Sequence, residues 1–171
     1  LPVEARKRFV YVLDVRDPPA GLALAPLTVD PSGVWFRPEG RTFLAGRSPQ
    51  AEQEPADLDL DIVDHDFFEA EIWPHLAARV PAFEAAKVVS AWAGHYDYNT
   101  LDQNGVIGRH PEIANLYFAN GFSGHGLQQS PAVGRAIAEL IVDGRYTTID
   151  LSRLGYERIA RGAPLVELNV I

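Results

Sequence analysis

β-branched and aromatic residues fill Phe9–Asp14 (Phe-Val-Tyr-Val-Leu-Asp), and the double proline Pro18-Pro19 follows shortly, so the pattern predicts a strand that ends in a loop. Three shorter apolar segments come next, Leu27–Asp30, Val34–Arg37 and Thr42–Ala45. They are separated by Pro31-Ser32-Gly33 and Pro38-Glu39-Gly40. Proline followed by glycine presets the dihedrals of a tight turn, so these segments predict a meander of antiparallel strands.

The period then changes. Phe67, Phe68, Ile72 and Leu76 recur at helical spacing behind Asp64, a suitable N-cap, with further carboxylates in the first turn where the helix dipole favours them. This predicts a helix over residues 65–79, which Pro74 should kink or split because it has no N–H to donate. Val88–Tyr98 is strand-like again, and Asn104-Gly105 makes a turn into Val106-Ile107-Gly108. Leu116–Ala119 is a short apolar strand running directly into Asn120-Gly121-Phe122-Ser123-Gly124-His125-Gly126. Val133, Ile137, Leu140 and Ile141 then repeat at helical spacing up to Asp143-Gly144, a glycine stop. A short helix near Ser152–Ala160 and an extended tail finish the chain. The fold class expected from this order is α+β, a largely antiparallel sheet with helices.

Composition narrows the class. With 171 residues and 47% hydrophobic content the chain can bury a real core. Its 14 Gly and 13 Pro are spread through turns and form no repeat. The longest apolar run, Gly21–Thr28, is far shorter than the roughly 20 residues a membrane span requires. There is no cysteine, which excludes disulfides, thiolate metal sites and a cysteine nucleophile. A cytoplasmic location is expected, since no secretory signal is visible, and the absence of any methionine suggests a piece of something longer.

Charge narrows it further. Nine carboxylates and no Lys or Arg lie between Ser48 and Ala78, so this one stretch accounts for the net charge of −8. Nucleic acid is therefore not an expected partner, because phosphate binding needs a basic face. The single basic cluster, Arg6–Arg8, reads as the solvated lead into the first strand, and the acidic stretch as a solvated linker. Asp57-Leu58-Asp59-Leu60-Asp61 lacks the glycine and distal glutamate of a calcium loop. His65, His75, His95 and His110 show no ligand spacing, so no metal is expected.

The sharpest local signal is the strand, glycine-rich turn and helix over residues 116–143. Glycines at 121, 124 and 126 allow close backbone approach, and the N–H groups opening the helix present a positive dipole end to an electron-rich ligand. Close packing of helix on strand would use the same glycines. No Gly-Lys-Ser/Thr follows, and the Gly-x-Gly-x-x-Gly order of a dinucleotide fingerprint is absent.

The segment Asn115–Gly134, centred on Gly-Phe-Ser-Gly-His-Gly-Leu-Gln, resembles the flavin-facing segment of the D-amino-acid oxidase superfamily, which includes sarcosine and glycine oxidases and dimethylglycine dehydrogenase. Leu1-Pro2-Val3, Asp30–Gly40 and Asp102–Gly108 are similar to neighbouring segments in the same order. Within that superfamily the likeness is greatest to the FAD-dependent oxidoreductase domain-containing proteins. The resemblance implies the C-terminal part of such an oxidoreductase, with residues 1–104 in the substrate domain and 105–171 supplying the closing strand and helix of an FAD-binding domain.

It further implies that Gly121, Phe122, Ser123, Gly124, His125, Gly126, Leu127 and Gln128 contact FAD. With no cysteine available the cofactor would be held noncovalently. Gln128 stands near the place where many relatives carry lysine. Tyr96 would hydrogen-bond a substrate carboxylate and Arg47 would pair with it, against the plainer readings of a half-buried strand aromatic and a surface arginine. The implied reaction is oxidation of a C–N bond in a small amine or amino acid. The expected partners are that substrate, the missing N-terminal FAD-binding half or a chain supplying it, and a second copy of the chain through an exposed apolar patch; alone, the chain should turn nothing over. A noncatalytic flavoprotein-like scaffold acting through protein contacts is the alternative.

Overall fold

The computed structural model describes residues 1–168, and these group into two compact units, Arg6–His95 and Leu1–Ala5 together with the residues from Tyr96 onward. The strands are β1 (Val3–Asp14), β2 (Thr28–Val29), β3 (Trp35–Glu39), β4 (Thr42–Gly46), β5 (Lys87–Asn99), β6 (Val106–Arg109) and β7 (Tyr117–Asn120). The α-helical segments are α1 (His65–Phe67), α2 (Trp73–Arg79), α3 (Gly126–Val142) and α4 (Tyr156–Ala160). β1 and β5 each contribute residues to both units. The fold is α+β with a largely antiparallel sheet, as the residue pattern predicts.

In the first unit the sheet order is β2-β3-β4-β1-β5. The expected meander is present: Pro38 of β3 faces Phe43 of β4, and Leu13 of β1 also pairs with Phe43. From Lys7 to Leu13 β1 alternates strictly, with Phe9, Tyr11 and Leu13 buried on the core face. Phe36, Phe43, Phe68, Ile72, Leu76 and Phe83 close over them. The Tyr11 hydroxyl donates to the carbonyl of Asp64, and burial, with the Asp64 carboxylate adding, pushes its pKa well above the phenol range.

β1 starts at Val3, well upstream of the expected Phe9, and this changes the fate of the basic cluster. The same alternation places Lys7 on the core face, 2% exposed, with its ammonium donating to the Asp59 carbonyl and standing 5.4 Å from the centre of the Phe9 ring. Arg8 grips Glu54 through two hydrogen bonds of 2.8 and 2.7 Å. The expected solvated lead is therefore tied into the acidic stretch, where Asp57 and Asp59 close turns on the N–H groups two residues ahead.

The helix expected over residues 65–79 is split as Pro74 requires. Asp64 caps α1 by accepting from the Phe67 N–H at 2.9 Å, a π-helical turn spans Phe68–Ile72, and α2 begins at Trp73 beside the proline. The widened turn makes room for the pyrrolidine ring and absorbs its missing N–H. Asp64→Ala should lower stability by about 1 kcal/mol through loss of this cap, read as a shift of the urea midpoint at unchanged m.

The second unit is built on the β6–β7 hairpin, in register Val106 to Asn120 and Arg109 to Tyr117, with α3 packed on it through buried Val133 and Ala136. α3 begins at Gly126 and ends at Val142, with Gly144 left-handed at φ +70° just beyond. Pro131 inside α3 cannot donate to Leu127, and the Ser130 hydroxyl donates to that carbonyl instead, at 2.8 Å. The expected terminal helix is a 3-10 turn, Ser152–Leu154, followed after Gly155 by α4. Of the extended tail, residues 169–171 lie outside the described residues.

One buried charge pair organises the end of the second unit. Arg158, 8% exposed, meets Asp102, 1% exposed, at 2.7 and 3.2 Å, and also donates to the carbonyls of Leu154, Asn104 and Gly105. Burial alone would raise the pKa of Asp102, but the guanidinium and the N–H groups of Leu165 and Asn104 together hold it below the usual carboxylate range. The terminal segment is thereby fastened to the turn from which β6 starts.

Candidate functional site

β7 ends at Asn120 and the chain turns through Gly121, Phe122, Ser123 and Gly124 before α3. Gly121 (φ +74°) and Gly124 (φ +96°) are left-handed, and so is Ser123 (φ +50°), which carries a side chain there and is fully buried. A Cβ on Gly121 would stand 3.1 Å from Val3 and 3.4 Å from Asn99. The turn is thus shaped by its own chain. Asn99 donates its N–H to the Ser123 hydroxyl at 3.0 Å and its side-chain amide to the Asn104 carbonyl at 2.6 Å. Phe122 fills the space left by Gly105, where a Cβ would lie 2.8 Å from its ring.

Gly126 differs from the other two. Its φ is not left-handed, and a Cβ on it would meet Phe122 at 3.6 Å, an ordinary contact. Among the described residues nothing stands close enough to a Cβ there to require a glycine. Around it, Gly124, Leu127 and Gln128 are exposed and His125 is half-buried, with Leu127 87% exposed. His125 occupies the N-cap position without a side-chain cap bond, and the first turn of α3 holds no acidic residue. The opening N–H groups of this 17-residue helix and its positive dipole end are therefore presented uncompensated beside a side-chain-free backbone. Such a surface can receive a flat, electron-rich ring edge at short range, and in that respect the residues fit a flavin.

Of the two residues expected to touch substrate, Tyr96 lies on β5, half-buried, with its ring 6.2 Å from that of Tyr98 on the same face of the strand. Asp97 between them points the other way, to the turn, where its carboxylate accepts from the Gly121 and Phe122 N–H groups. Arg47 follows β4 in the other compact unit, and its guanidinium is held by the Glu71 carboxylate at 2.5 Å. Its Nε is buried with no partner among the described residues. The structure therefore places Tyr96 on the strand that braces the turn and gives Arg47 a carboxylate partner already. Sequence reasoning missed Asp97, since a single aspartate between two tyrosines on a strand carries no local signal of a partner more than 20 residues on.

The family model described as FAD dependent oxidoreductase matches residues 1–140. The chain is 56% identical to FAD-dependent oxidoreductase domain-containing protein 1 of Xenopus laevis over 100% of its own length, and it covers 34% of that relative. It is 41% identical to the monomeric sarcosine oxidase of Bacillus sp. (strain B-0618) over 36% of its length, covering 15% of that protein. The L-proline dehydrogenase structure from P. horikoshii superposes with a TM-score of 0.80 at 27% identity, over 94% of this chain and 41% of that one. The chain thus spans about a third of the length of the curated relatives it matches from end to end. A match over residues 1–140, ending within the helix that the glycine turn opens, shows that this chain belongs to the FAD dependent oxidoreductase family, with FAD as the cofactor.

Proposed function

We propose that this chain, as part of a longer protein, oxidises a C–N bond of a small amine or amino acid, with Gly121–Gln128 against the flavin and Tyr96 on the substrate side. The observation that carries this reading is Gly126: the chain has room for a side chain there and has none, beside an uncapped helix N-terminus. Bound FAD would accept the hydride. The chain's own residues would do the rest. The first-turn N–H groups of α3 would stabilise negative charge gathered at the pyrimidine edge on reduction, a prearranged dipole needing no reorganisation. The turn at 121–124, fixed by β5, would keep those groups in place.

The names of the sarcosine oxidase and L-proline dehydrogenase described above support this substrate class. Residues 1–104 would then contribute to the substrate side and the residues from 105 onward to the flavin side, with FAD held noncovalently in a chain that has no cysteine. For Arg47 to grip a carboxylate, Glu71 must first release it. The Tyr96 hydroxyl is the simpler candidate.

Anaerobic mixing of the FAD-loaded full-length protein with a panel of small secondary amines and amino acids should bleach the flavin with at least one of them. Tyr96→Phe should then slow reduction about 2- to 10-fold, the worth of one neutral hydrogen bond, at unchanged flavin content. A fully loaded protein that none of these compounds reduces would overturn the assignment.

A further inference from the structure

We propose that Asp97 is the positioning residue of the flavin-facing turn. This rests on the reading that Gly121–Gln128 face FAD, and it names what aims them. Consecutive amides of the turn all end on this one residue. Gly121 N–H and Phe122 N–H donate to the same carboxylate oxygen, the second at 3.3 Å, and Ser123 N–H donates to the Asp97 backbone carbonyl at 2.9 Å.

Elsewhere the turn is held by the Asn99 N–H on the Ser123 hydroxyl, by the His125 N–H on the Phe122 carbonyl and by Phe122 packed at Gly105. The chain leaves the β7 ladder at Asn120, and the α-helical bonds of α3 begin only with Gln129 N–H on the His125 carbonyl. In between, Gly121, Ser123 and Gly124 lie in the left-handed region, which a serine adopts unfavourably unless its surroundings impose it. Two successive N–H groups converging in a turn form a cradle that commonly takes an anion from outside. Here the chain supplies its own, from β5, and so locks the turn to a strand. The direction in which α3 sets out, and hence the aim of the N–H groups at Gly126–Gln128, follows from that lock. Asp97 acts on the flavin through the turn.

Because both amides share one oxygen, the carbonyl oxygen of an asparagine can take the same place, whereas alanine offers nothing and glutamate pushes the turn outward by one methylene. In the full-length protein, Asp97→Ala should weaken FAD binding about tenfold or more, as expected for losing charge-assisted hydrogen bonds to backbone N–H groups, and change the visible circular dichroism of the flavin that still binds. Asp97→Asn should recover most of the affinity and the wild-type dichroism. If Asp97→Ala does not fold, Asp97→Glu gives the same reading, with altered dichroism expected. Wild-type affinity and dichroism in a folded Asp97→Ala protein, or wild-type dichroism in Asp97→Glu, overturns the proposal. Gly126→Val separates the two levels. If that variant loses FAD while Asp97→Ala keeps it, only the role of Asp97 fails; if Gly126→Val keeps FAD unchanged, the flavin-facing assignment itself fails.

Discussion

Gly126→Val in the full-length protein is expected to lose most of its FAD while the apoprotein keeps its fold. A Cβ at this position reaches Phe122 at 3.6 Å, an ordinary contact, and the backbone is not left-handed, so a side chain can start there without strain on the backbone. A branched side chain nevertheless stands where the backbone should approach the ring. It pushes the ring away from a helix end whose dipole contributes on the order of 0.3–2 kcal/mol to a nearby negative charge. Lost van der Waals contact adds to this. Together these should lower flavin content per chain at least several-fold, measured by flavin absorbance against protein. The reduction potential of what still binds should fall, because the reduced ring loses its stabilising dipole. Gly126→Ala serves as the internal control. It should leave the thermal midpoint of the apoprotein unchanged or raise it, since alanine restricts the unfolded chain without straining the folded one. If Gly126→Val holds FAD with normal affinity and an unchanged potential, the turn does not face the flavin.

Arg158→Ala should cost about 3–5 kcal/mol of folding stability, the usual result of stranding one partner of a buried ion pair. Asp102, 1% exposed in the intact chain, would be left with no counter-charge, and the carbonyls of Leu154, Asn104 and Gly105 would lose a shared donor. Urea denaturation at pH 7 checks the magnitude. Acid denaturation checks the cause. The folded pKa of Asp102 lies below its ordinary value. Its contribution is therefore complete above the unfolded carboxylate pKa of roughly 4 and is lost as pH falls through the folded value. Asp102→Asn should accordingly be less stable than the wild type at pH 7 but flatter below about pH 4. Equal acid slopes in the two proteins would show that the pair is not ionised. The consequence reaches the candidate site. Arg158 holds the carbonyls of the Asn104-Gly105 turn, and Gly105 is the glycine against which the Phe122 ring packs.

How far the sequence speaks differs from element to element. The meander, the split helix behind Asp64 and the glycine turn opening a helix are all legible, because each is specified by neighbours within a few residues: a proline-to-glycine turn, a capping carboxylate, a missing N–H. The extra length of β1 was not. Its first half, Glu4-Ala5-Arg6-Lys7-Arg8, is mostly polar; it is part of a strand that lies between β4 and β5 in the sheet, where Arg8 and Lys7 find Glu54 and the Asp59 carbonyl. A lysine stem can lie on a core face when its ammonium reaches an acceptor, and no local pattern announces that acceptor.

The same contrast runs through the site. Composition excluded a thiol and a basic face, and residue order carried the resemblance of the glycine-rich strand-to-helix junction to a flavin-facing segment. Those features need only residue identity and spacing. The tertiary structure alone decided which glycines shape the turn and which one leaves room, since that depends on φ and on what a Cβ would meet. It alone paired Arg47 with Glu71, Asp97 with the turn amides and Arg158 with Asp102. Each of these partners is more than 20 residues from the other along the chain, and a hydrogen bond or ion pair leaves no periodic trace in sequence. Only folding brings such groups within the roughly 3 Å at which their charges and lone pairs act.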